Sequence, residues 1–108
     1  GRQPVEVEKV HDLPESFPVD DVRIPENAII DHAGERDNGS WFAVLKFSSM
    51  TEAKASLDMI LADFTLELDD SDPESLYRQY SHEGFAVEAL AFTEEDMIVL
   101  SLDVSPKA

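Results

Sequence analysis

The sequence predicts an α+β fold: a mainly antiparallel sheet of about four to five strands in the order β-β-α-β-α-β-β, covered on one face by helix. Three observations predict it. Trp41-Phe42-Ala43-Val44-Leu45-Lys46-Phe47 alternates with Trp41, Ala43, Leu45 and Phe47 on one face and apolar Phe42 and Val44 on the other. Ser49-Met50-Thr51-Glu52 opens a stretch whose apolar residues recur at helical spacing. Met97 to Val104 sets Ile98, Leu100, Leu102 and Val104 on one side of an extended chain.

Residues 1–27 read as an extended lead-in, because Pro4, Pro14, Pro18 and Pro25 each remove a backbone donor and bias the preceding residue away from helix. Phe17, Val19, Val22 and Ile24 are expected to pin its second half to the core, with 1–12 looser. The α+β domain itself is expected over 28–105. Ala28 to Asp31 is a short strand, and Gly34-Glu35-Arg36-Asp37-Asn38-Gly39 is the turn that pairs it with Trp41–Phe47 as a hairpin. A strand apolar on both faces belongs at the centre of a sheet. Ser49 and Glu52 form a capping box, and Ala53, Leu57, Ile60, Leu61 and Phe64 make a stripe that can lie on that sheet.

Phe64-Thr65-Leu66-Glu67-Leu68 alternates with period two and is read as a strand entered at Asp63, although Phe64 and Leu68 also continue the helical stripe. Asp72-Pro73-Glu74 predicts a short second helix, with Asp72 as N-cap and Pro73 at the first helical position. Leu76, Tyr77 and Tyr80 give it an apolar edge, and Gly84 a left-handed stop. Phe85 to Phe92 and Met97 to Val104 close the fold as a hairpin around Thr93-Glu94-Glu95-Asp96.

Charge narrows the function classes. The 108 residues carry 24 acidic against 8 basic side chains, a formal charge of -16 spread over the whole chain. Such a field repels phosphate backbones and anionic membrane surfaces, so nucleic acid is excluded as a direct partner. It attracts cations and basic proteins, and it also serves solubility or life in a salty medium. No cysteine is present, which removes disulfides and thiolate chemistry from these residues and leaves the compartment open. No apolar run approaches the roughly 20 residues that span a bilayer, and a monomer is expected.

Glu67, Asp69, Asp70, Asp72 and Glu74 are the densest acidic stretch. Asp69, Asp70, Asp72 and Glu74 are the candidate metal ligands, as oxygen donors suit calcium, yet the spacing departs from an EF-hand loop at Pro73, Ser75 and Ser81. Glu67, Asp69, Asp70, Tyr77 and Tyr80 are the candidate partner-binding residues, carboxylates beside amphipathic aromatics. His32 with Asp31, Glu35 and Asp37 has the composition of a zinc site but no ligand motif, and His11 and His82 lack partners at ligand spacing. No G-x-S-x-G elbow and no glycine-rich phosphate loop occurs, so no catalytic residues and no cofactor are expected.

Asp12-Leu13-Pro14-Glu15-Ser16-Phe17-Pro18-Val19, continuing to Ile24-Pro25-Glu26-Asn27-Ala28-Ile29-Ile30, resembles the opening of small uncharacterised lipoproteins of Gram-positive bacteria, and Gly84-Phe85-Ala86-Val87 resembles their Gly-Phe-x-Val strand. The resemblance covers about 20 residues. It implies an extracytoplasmic domain tethered at its N-terminus; the chain carries no lipid-attachment cysteine and opens at Gly1 without Met, so natural residues are expected ahead of it. The expected function is a non-enzymatic binding or interaction domain at the cell envelope. The alternative is a small acidic inhibitor or immunity-type protein that binds a basic protein partner.

Overall fold

Asp72, expected to start a second helix, instead closes a tight turn. In this computed structural model, which describes residues 13–107, its carboxylate accepts from the amides of Glu74 at 2.9 Å and Ser75 at 2.8 Å, and its own amide donates to the Ser75 carbonyl at 3.0 Å. An N-cap and an Asx turn use the same side-chain chemistry, and Pro73 suits either. The following residues decide for strand. Leu76 and Tyr80, four apart, share a face at both the helical and the extended period, and both are buried on the sheet.

The elements are therefore β1 (Ile29–Glu35), β2 (Trp41–Phe47), α1 (Met50–Ile60), β3 (Thr65–Asp69), β4 (Leu76–His82), β5 (Phe85–Glu94) and β6 (Met97–Pro106). The α+β class stands, but with six strands and one helix. All six strands form one antiparallel sheet in the order β1-β2-β6-β5-β4-β3. Gly84 belongs to the two-residue β4–β5 turn beside Glu83 (φ 40°), not to a helix end. β1 outruns the expected Ala28–Asp31 and passes through Gly34, where a Cβ would stand 2.9 Å from the Phe42 ring. Both edge pairings are interrupted: β1 slips register between Ile30 and His32, and β3 between Leu66 and Leu68.

The Ser49 cap forms, with Oγ accepting from the Glu52 amide at 3.1 Å. The Glu52 carboxylate accepts from Ser48 Oγ at 2.7 Å. From this start α1 directs Ala53, Leu57 and Ile60 onto one face of the sheet, where Ala43, Leu45, Leu76, Ala89, Ala91, Leu100 and Leu102 are fully buried. The alanines on β2 and β5 let the helix approach the sheet closely.

Residues 13–27 of the lead-in cover the same face. Phe17 and Val22 are buried and Ile24 packs on the core, while Val19 is 52% exposed and does not anchor it. Phe17 meets the edge of Trp41, Trp41 donates from Nε1 to Ser16 Oγ at 3.0 Å, and the Arg23 amide donates to the Ile60 carbonyl at 3.1 Å, satisfying one orphan acceptor at the helix end. The expectation for residues 1–12 lies outside the described residues. Helix α1 and residues 13–27 thus share one side of the sheet, and no element among the described residues covers the other.

Candidate interaction face

Strand alternation sends every second side chain to the uncovered side, and the register arranges them in rows. One row runs Tyr77, Leu90, Ser101, Val44 and His32 across five strands. The next runs Gln79, Glu88, Asp103, Phe42 and Gly34. On the other flank Phe92, Val99 and Lys46 lie side by side. The face is therefore divided between an apolar stripe and a row of carboxylates.

The stripe is partly wet. Leu90 is 43% and Phe92 38% exposed, whereas Val99, between Phe92 and Lys46, is 5% exposed yet stands outside the core cluster. A hollow of about 270 Å³ lies among Asp31, His32, Val44, Lys46, Leu90 and Phe92. At its rim His32 Nδ1 is 2.8 Å from Asp31, and Lys46 Nζ is 3.6 Å from the same carboxylate. The hydrogen bond from His32, with the Lys46 charge behind it, holds the Asp31 carboxyl below the usual carboxylate range.

In the acidic row Glu88 stands directly across from Asp103, a like-charge pairing that costs stability unless it is offset. Two arrangements offset it. Arg36 pairs with Asp103 while its guanidinium lies 4.8 Å from the centroid of the Phe42 ring. Tyr77 donates its hydroxyl proton to Glu88 at 2.6 Å and accepts from Gln79 Nε2 at 2.7 Å. The bond to Glu88 pushes the Tyr77 hydroxyl above its ordinary range. Glu67, at the β3 bulge, accepts from Ser81 Oγ at 2.5 Å. Glu67, Glu88 and Asp103 border a second hollow of about 390 Å³ floored by Gln79, Ser81, Ala86 and Ser105.

The structure separates the residues grouped by the acidic stretch. Glu67 and Tyr77 are on the uncovered face; Tyr80 is buried beneath the sheet, its hydroxyl accepting from Arg78 at 3.1 Å and raised by burial. Asp69 faces the helix side, with Arg78 Nε 3.2 Å away but not aligned for a hydrogen bond. Ser71 Oγ donates to Asp69 at 2.5 Å and lowers its carboxyl. Arg78 also reaches Asp58 of α1 at 3.4 Å. Asp70 gives its amide to the Tyr77 carbonyl, and Asp72 is occupied by its turn, whose amides from Glu74 and Ser75 hold its carboxyl low. Glu74 is exposed in that turn.

Among the described residues no group of three or more His, Cys, Asp or Glu is gathered to hold a metal ion. Glu35 leaves His32 to accept from Ser16 Oγ at 2.6 Å, and His11 lies outside the described residues. No helix among them is long and apolar enough to cross a membrane. The residues that sequence reasoning missed are Val44, Leu90, Phe92, Glu88 and Asp103. The apolar second face of β2 was the available signal, but it reads equally as burial between two layers. Compared with family models, with curated proteins and with solved structures, the chain matches none.

Proposed function

We propose that the protein is a non-enzymatic interaction domain of the cell envelope that binds a protein partner through the uncovered face of its sheet. The observation that carries this reading is the stripe of half-exposed Leu90 and Phe92 with Val44 on a sheet face that no described element covers. A sheet buries its apolar face against another layer, and among the described residues α1 and residues 13–27 supply that layer on one side only. Contiguous apolar surface on an otherwise acidic molecule marks a contact site. The extracytoplasmic placement rests on the resemblance of the proline-spaced opening and of Gly84-Phe85-Ala86-Val87.

The inhibitor alternative draws support from Glu67, Glu88 and Asp103 beside Tyr77, since a carboxylate row can stand where a basic protein expects phosphate. Nuclear magnetic resonance of the labelled chain mixed with purified Gram-positive envelope fractions tests the leading reading. Resonances of Val44, Leu90, Phe92 and Val99 are expected to shift or broaden while those of Ala55 and Met59 on α1 hold. Perturbation confined to the α1 side, or none at all, would sink it.

A further inference from the structure

We propose that the occupant of this face is a basic amphipathic helix presented by a protein partner, an inference that rests on the interaction reading above. Its apolar side chains would cover Val44, Leu90 and Phe92, and its arginines or lysines would reach Glu67, Glu88 and Asp103. Two features carry the choice.

The first is charge complementarity. Asp31, Glu67, Glu88, Glu94 and Asp103 border the two hollows of the face, and among the described residues Lys46 and Arg36 are the lysine and arginine side chains that answer them. Arg36 and Lys46 each already hold one of those carboxylates, which among the described residues leaves Glu67, Glu88 and Glu94 without a cation. A helix with cations beside its apolar stripe matches the two rows, because residues three and four apart stand on neighbouring lines of a helix surface. A second copy of this chain would bring a further charge of -16 to the same contact.

The second is the state of the sheet edges. An added strand needs a continuous ladder of free backbone groups, but both edge strands carry a register shift, at Asp31 and at Glu67. Bulges of this kind protect edges from augmentation. Docking is thereby directed to the face, where a second helical layer would mirror α1.

The test titrates the full chain with an amphipathic peptide of about 18 residues, five helical turns, built from leucine and arginine. Controls replace its arginines by glutamine, or its leucines by arginine. Calorimetry and resonance mapping are read together. The leucine–arginine peptide is expected to bind at Val44, Leu90 and Phe92, with an affinity that falls about tenfold or more between low and high salt. Leu90→Ser and Phe92→Ser are each expected to weaken it by about tenfold. Glu67→Gln with Glu88→Gln should lower the affinity and flatten the salt dependence, and Met59→Ser on the opposite side should change neither. Melting curves of the variants establish that each is folded.

Equal binding of the glutamine peptide would overturn the charge requirement, and equal binding of the all-arginine peptide would overturn the apolar one. Self-association abolished by Leu90→Ser would give the face to a second copy. If envelope fractions perturb the face while the leucine–arginine peptide does not bind, the partner chemistry falls alone. If neither touches the face, the interaction reading falls with it.

Discussion

Asp72 shows how one carboxylate can satisfy two different local plans. Its Oδ1 takes the Glu74 and Ser75 amides, as an N-cap would take those of a first helical turn. Asp72→Ala is expected to lower the melting temperature by a few degrees without changing the strand content seen by circular dichroism; the appearance of helical signal instead would count against the turn. The pH dependence follows from the same contacts. Asp31, Asp69 and Asp72 are held below their ordinary 3.8, so the stability they contribute is present above that pH and is lost as the pH falls through their folded values. Tyr77 and Tyr80 are raised above 10.0, so folding loses stability as the pH climbs from there toward their folded values. Tyr77→Phe should reduce that alkaline loss in a pH series of melting curves, and an unchanged profile would show that the bond to Glu88 does not set it.

At the scale of elements, β2, the capped start of α1 and the final hairpin were legible because alternation and capping chemistry spoke without rivals there, and β3 was legible by its alternation although Phe64 and Leu68 also fit the helical period. β4 was not, since Leu76 and Tyr80 are four apart and that spacing belongs to both periods. The candidate site was legible only in Glu67 and Tyr77. Phe42 and Val44 were visible as apolar, but nothing local says whether a second layer covers them, and the pairing of Glu88 with Asp103 depends on a register set at long range. Two element-level outcomes are expected. Leu57→Ala, which empties a fully buried position beneath α1, should cost about 2–5 kcal/mol in denaturant unfolding. The β5–β6 turn holds Glu95 at φ 50° and Asp96 at φ 69°, a two-residue connection that favours Asn-Gly. Changing Glu95→Asn with Asp96→Gly should stabilise the chain by about 0.5–2 kcal/mol, and a loss of stability would mean that the two acids make contacts of their own.

For the whole molecule the charge of -16 is a standing repulsion within a small volume. Sodium chloride is expected to raise the melting temperature by screening it. Calcium at matched ionic strength should add no saturable increment, because Asp69 and Asp72 are already engaged by Arg78, Ser71 and the turn amides. A saturable rise with calcium, removed by Asp70→Asn or Glu74→Gln, would establish a site that these contacts do not account for.

The place of β6 between β2 and β5 bears on how the chain folds as it leaves the ribosome. Until Met97–Pro106 has emerged, β1, β2 and α1 form one fragment and β3, β4 and β5 another, with no strand to join them. Each fragment would expose half a core and an unpaired inner edge, so nascent chains depend on β6 to zip both halves at once. A chain ending at Asp96 should therefore show no cooperative melting and should aggregate.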